Sequence, residues 1–363
     1  MPLETATSNI YSARPTLLLD GQEDLVLSDG VQNMMVLETT QGLYGCEMTI
    51  GNWGNPNGNV TYLYYNRRII DFGKKIEITI GESNTARTVF SGRVTGIEGR
   101  YLQNRSPEIT VLAEDSLQDL RMTRRTRSFE EVSDSDVIRQ IASDHGLNTD
   151  IDIDGPAQYR VLCQVNQSDL AFLRDRARAI DAELWITGTT LHVQARSRRN
   201  EGEIVFAYGQ RLKEFSVLAD LSGQCTRLTV SGWNVAAKQG MTHECTESAI
   251  QPELGEGQLG GGALLRSALG ERYQQVVHEV THTDEETRYV AEAAYRRNAR
   301  RFVTGRAVLE GDGRLRVGTH VSLSGLGQMF NGRYYVTEVR HMFDITQGYR
   351  TVIEVERPGI GQS

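Results

Sequence analysis

Polar and apolar residues alternate from Lys75 to Ile80, the period-two pattern of an antiparallel strand with one buried face. Similar short runs recur at 15–21, 34–39, 45–50, 88–98 and 108–114, the first closing in an Asp20-Gly21 turn. Strands in such close succession predict a β-barrel over residues 14–127, after an N-terminal arm at 1–13. The period turns helical at 115–120. Ser133 or Asp134 is placed to cap a helix over 137–142, with His145-Gly146 as its stop. Ser168 or Asp169 caps another, whose apolar positions are Leu170, Leu173, Ala177 and Ile180. Strands at 183–187 and 191–193 follow, joined by a turn at 188–190. Residues 128–200 thus read as a small α/β module, closed by the polar boundary Arg196-Ser197-Arg198-Arg199-Asn200.

A second β-region begins at 203–206 and continues through 212–217 and 226–233. It breaks at Gln239, resumes near Ala307, and runs through 320–324, 332–339 and 349–355. The interruption holds a Gly-rich stretch, 254–262, and a helix through Val290, Ala294 and Ala299. Thr283-Asp284-Glu285-Glu286 is that helix's capping-box signature. The predicted fold is mainly β with an α+β insertion. A second barrel takes 201–240 and 303–357, a Gly-rich loop and helix insertion takes 241–302, and a C-terminal tail takes 358–363.

Length and charge bound this picture. A chain of 363 residues, 39% of them hydrophobic, is long enough for two or three domains with real cores. Its formal charge of −8 argues against nucleic acid or an anionic membrane as the main partner. No stretch has the apolar length of a membrane span, and residues 1–5 lack the features of a signal peptide, which predicts synthesis in the cytoplasm. Cys46, Cys163, Cys225 and Cys245 are too widely spaced for a zinc ribbon or a thioredoxin-type pair, and reduced thiols are expected.

The stretch from Gln164 to Val193, QVNQSDLAFLRDRARAIDAELWITGTTLHV, resembles the middle of the baseplate hub proteins of contractile injection machines. This is the phage late control gene D family, which includes the hub half of type VI VgrG spike proteins and the T4-type tail hub. The likeness extends to Phe90-Ser91-Gly92-Arg93-Val94-Thr95-Gly96-Ile97-Glu98, to residues 112–117, and to residues 136–142 with Gly146-Leu147. It continues through 318–327 and 330–341 to Gly348-Tyr349-Arg350-Thr351, in the family's order along nearly the whole chain. The resemblance implies a structural part rather than an enzyme. Three copies, each with two similar barrels, would form a pseudo-sixfold ring adapting a sixfold inner tube to a threefold spike. Its implied partners are two further copies, a spike protein below, an inner tube or tube-initiator protein above, baseplate wedge proteins, and a cargo or effector. The implied location is a phage tail-like particle. Many relatives continue into a further small barrel and a β-helical spike, whereas this sequence stops at Ser363. The spike is therefore expected on a separate chain or beyond the sequence in hand.

Several motifs invite chemistry. His278-Glu279-Val280-Thr281-His282 matches the zinc metalloprotease pattern, the basis of an alternative reading as a zinc-dependent metallohydrolase using His278, Glu279 and His282. On a helix the two imidazoles would lie about 6 Å apart; on a strand, roughly 13 Å. The β-branched run 275–281 and the helix cap at Thr283 favour the strand. Gly255-Glu256-Gly257-Gln258-Leu259-Gly260 matches the dinucleotide-binding pattern but lacks a preceding parallel strand, so it reads as a loop. Asp134 and Asp136 form a carboxylate pair, and Asp150, Asp152 and Asp154 open like a Ca²⁺ loop, yet Val161 stands where Glu should close it. Arg121, Arg124, Arg125 and Arg127 read as a solvated face or a contact surface, while Arg296, Arg297, Arg300 and Arg301 give their helix a basic side that suits the dipole of its last turns. Trp53, Trp185 and Trp233 read as core or interface. No catalytic, cofactor-binding or metal residue is assigned, and no cofactor is expected. A peptidoglycan-binding role for the helical insertion is a weaker third reading.

Overall fold

The computed structural model of the chain describes residues 14–55, 58–81, 86–235, 237–277 and 280–361. The expected arm at 1–13 and the last two tail residues lie outside them. The fold is mainly β. The alternating runs become strands because each buries one side chain in two: Ile76, Ile78 and Ile80 are buried while Lys75, Glu77 and Thr79 are not.

Thirteen strands join in one sheet. From one edge, Leu212–Ala219, Val303–Glu310, Gly348–Arg357 and Gly332–Asp344 lead to Val31–Thr39 and Gly45–Gly51. Glu108–Glu114, Arg87–Arg100, Lys75–Ile80, Thr16–Leu19 and Gln22–Glu23 complete the path. His320–Ser324 pairs with Gly332–Asp344 and carries Glu203–Ala207 on its other side. Helix α1 (Leu25–Asp29), capped by the Asp24 carboxylate, packs beside the first strand.

Two barrels were expected; the β-regions run into one another in a single sheet, and no pairing among the described residues closes either of them. The seam is antiparallel, from Glu338 opposite Thr39 to Asp344 opposite Asn33. The strand Gly332–Asp344 makes this possible by its length, about 43 Å at the usual rise. Its earlier part puts Val336 and Val339 into the C-terminal core; its last turns put Phe343 into the N-terminal core. An alternating pattern shows which face of a strand is buried, not which strand lies beside it.

The α/β module carries α2 (Gln118–Arg121), α3 (Asp134–Asp144) and α4 (Asp169–Ala179). Ser133 and Asp136 cap α3 reciprocally, and Ser168 caps α4 by accepting from the Ala171 N–H. Leu170, Leu173 and Ala177 enter the module core beside Phe129, Ile141 and Leu191. Leu117 and Leu120 join this core too, so residues assigned to the first β-region from sequence pack with the module.

The strand expected in the second β-region at 226–233 is placed elsewhere. Arg227–Asn234 pairs with Gln239–Cys245, where the pattern was read as broken, and with Tyr273–Val276. The cause is helical: after α5 (Gly261–Leu269), helix α6 (Asp284–Arg300) covers Leu228 and Val230 with Val290, Ala291 and Ala294.

Gly92 shows how tightly the first half is closed. A Cβ there would fall against the Glu114 carbonyl oxygen and 2.6 Å from the Phe90 ring. The expected result of Gly92→Ala is a loss of about 2 kcal/mol in a urea-unfolding measurement, the usual cost of overpacking against backbone that cannot yield.

Candidate functional site

Two ionic clusters organise the polar interior. The first centres on Asp169, the opening residue of α4, whose side chain is 1% exposed. Its carboxylate accepts from Arg127 Nη2 and Gln164 Nε2 at 2.9 Å each, from His145 Nε2 at 2.9 Å, and from Arg125 Nε at 3.2 Å. Burial would raise this carboxyl; the bonds from His145 and Gln164, with the charges of Arg127 and Arg125, outweigh it and hold the group below the usual carboxylate range. Arg125 and Arg127, expected on a solvated face or contact surface, are ion partners of a buried acid.

The second cluster lies where the cores meet. Glu183 accepts from Arg196 at 2.9 Å, from Arg199 at 2.9 Å and from the Tyr335 hydroxyl at 2.7 Å. Arg196 also reaches Glu356 at 2.6 Å, and Arg199 reaches the Tyr44 hydroxyl at 3.1 Å. Arg199 stacks on Trp185, 3.8 Å from the ring centre. The stretch read as a polar boundary is therefore partly core, Arg199 being 2% exposed. Nearby, Arg300 of α6 holds Asp181 at 2.6 and 2.7 Å and Glu253 at 2.7 and 2.6 Å. Arg316 pairs with buried Glu38 at 2.5 Å. Module, both β-halves and helical insertion thus contribute to one region of charge.

The other sequence candidates do not converge. His278 and Glu279 lie outside the described residues. His282 precedes the Thr283 cap, so the motif's last residue stands ahead of α6 rather than on it. No group of His, Cys, Asp and Glu fit to hold a metal occurs among the described residues. Asp150 pairs with His192 at 2.9 Å, while Asp152 and Asp154 pair with Arg198 at 3.0 and 2.8 Å. Asp134 is buried and bound by Arg176 at 2.7 Å and the Tyr159 hydroxyl at 2.8 Å, while Asp136 serves the α3 cap. In the Gly-rich stretch, Gln258–Gly260 pairs antiparallel with Gly359–Gly361. That pairing differs from the parallel strand a dinucleotide fold needs.

Exposed aromatic residues gather on the first half. Trp53 meets Tyr62 edge-on at 5.2 Å, Tyr62 meets Tyr65 at 5.1 Å, and Tyr65 meets Tyr101 at 5.7 Å. Trp233, 52% exposed, lies on the strand Arg227–Asn234, its backbone N–H donating to the Thr281 carbonyl. Trp185 alone of the three tryptophans is buried. No helix among the described residues is long and apolar enough to cross a membrane.

This architecture has solved counterparts. The 43 kDa tail protein of prophage MuSo2 from Shewanella oneidensis matches with a TM-score of 0.70 at 14% identity, over 95% of this chain and 98% of that one. The tail protein of Neisseria meningitidis MC58 matches at 0.66 and 11%, over 96% and 97%. An E. coli component of the type VI secretion system, described as structurally similar to the T4 tail proteins gp27 and gp5, matches at 0.57 and 10%, over 94% and 76%. The chain therefore has the fold of phage tail and type VI spike-related proteins. The family model for the Alg8 N-terminal domain matches residues 31–344, and the chain belongs to that family. No curated protein matches the sequence.

Two buried carboxylates, Asp115 and Asp169, set opposite pH dependences. Asp115 accepts from the Tyr44 and Leu117 N–H groups, yet burial pushes its carboxyl up to about 7. The folded chain keeps that proton after the unfolded chain releases it, so this group's contribution to stability falls between about pH 4 and pH 7, by roughly 4 kcal/mol. Urea titrations across that range should show the fall in the parent and a flatter profile in Asp115→Asn. Asp169, held low, contributes stability that is present above about pH 4 and lost as pH drops through its folded value. Asp169→Asn is expected to cost about 3 kcal/mol at pH 7, and to remove part of the acid-unfolding slope below pH 4.

Proposed function

We propose that this chain is the structural hub of a contractile tail or injection machine. Three copies form a ring; each contributes its two β-halves, so that six similar units face a sixfold inner tube while the trimer as a whole faces a threefold spike. The observation that carries this reading is the extent of the likeness: tail proteins match over nearly their full length and nearly all of this one. The role is mechanical rather than catalytic.

The interior suits such a role. A ring that transmits load needs subunits that do not shear internally, and the cluster around Glu183, Arg196, Arg199 and Arg300 ties four cores to one another. The aromatic group of exposed Trp53, Tyr62 and Tyr101 with half-buried Tyr65 supplies apolar surface of the kind that subunit contacts bury. The remaining partners we assign are the spike protein on one side, the tube or its initiator on the other, wedge proteins around the rim, and a cargo in the channel. The working location is a tail-like particle.

A native mass spectrum tests the reading. The expected species has three times the 40.6 kDa chain mass, with no metal adduct. A monomer carrying one stoichiometric zinc would overturn it in favour of a hydrolase built on His278, Glu279 and His282.

A further inference from the structure

The end of the strand Gly348–Arg357 opens on a cavity of about 410 Å³, walled by Pro252, Leu254 and Pro358. We propose that this cavity binds a phosphate-bearing small molecule, its anionic group held by Arg357 and Arg333 with the His320 ring beside it.

Arg357 carries the argument. It is 3% exposed, and among the described residues no carboxylate lies within ion-pair reach of it. Its two terminal nitrogens donate to the carbonyls of Asn331 at 2.9 Å and Met329 at 2.7 Å, its plane lies 4.4 Å from the Tyr334 ring centre, and its Nε has no partner. A cation buried without a counter-ion is costly unless an anion completes the site. His320 adds a second unfilled position, for its Nδ1 is buried without a hydrogen-bond partner.

The acids that line the cavity are already taken. Glu356 is engaged by Arg196 and Glu253 by Arg300, so neither answers Arg357. Arg333, half exposed, lines the cavity and is held only at 3.4 Å by Glu203. In a chain of net charge −8, this concentration of guanidinium groups is a local reversal of sign that attracts anions. Planar guanidinium forks match the oxygens of phosphate. The space exceeds what orthophosphate fills, and the proline and leucine walls suit the organic part of an ester.

His320 reports on occupancy. Burial lowers its midpoint to about 4, helped by the charges of Arg333 and Arg196 and opposed by Glu203 and Glu253. A phosphate group alongside would favour the charged ring and raise that midpoint. The test is to titrate the full chain with inorganic phosphate, and separately with adenosine monophosphate, following the His320 ring by NMR and the affinity by calorimetry at pH 7. Saturable binding should raise the His320 midpoint by about one unit. Arg333→Gln should weaken binding about ten-fold, and Arg357→Met more. Arg333→Gln, at an exposed position, keeps the test open if Arg357→Met does not fold. Tighter binding of the nucleotide identifies an ester as the ligand; equal binding identifies free phosphate, and either supports the site. An unmoved His320 midpoint, an equal response to chloride, or full affinity in Arg333→Gln would overturn it.

Discussion

Burying Glu183 between Arg196 and Arg199 takes three charges out of water, at several kcal/mol per ion, offset by the pairing of the charges and the hydrogen bonds around them. The acceptors and donors come from different parts of the chain: Tyr335 and Glu356 from one β-half, Tyr44 from the other, the arginines from the module's edge. Any packing of these parts that displaced one of them would strand a buried charge. The cluster is thus a condition on relative placement more than a source of net stability.

The hydrophobic cores obey a looser rule, since apolar surface is satisfied by any close-fitting neighbour. Each half of the sheet has its own apolar cluster, and the module and insertion have theirs. Four such bodies joined only by apolar contact could settle at several angles. The ionic cluster and the strand Gly332–Asp344, which serves two cores at once, select one.

What the sequence made legible was local. The capped helix after Ser168 and the alternating strand at residues 75–80 are visible because cap and period lie within a few residues of one another. The sheet path is not, because Thr39 and Glu338 are partners from opposite ends of the chain. The site was less legible still. Arg196 and Arg199 looked like a solvated boundary because two charges close together usually are one, and the acid and phenols that bury them lie far off in sequence. Asp169 was visible as a capping candidate, but its engagement by Arg125, Arg127 and His145 had no sequence signal of its own. The HExxH-like string erred in the other direction: a short pattern matched, while Thr283 starts the helix only after it ends.

The seam between the halves also sets a timetable. Val31–Thr39 emerges early from the ribosome, but its neighbour Gly332–Asp344 follows roughly 300 residues later, about 15–60 s at usual synthesis rates. Through that interval the N-terminal half offers an unpaired strand edge to every other nascent chain, the condition that favours edge-to-edge aggregation. Neighbouring chains on one message are the nearest strangers. The last strands made are then what turns an adhesive intermediate into a finished fold.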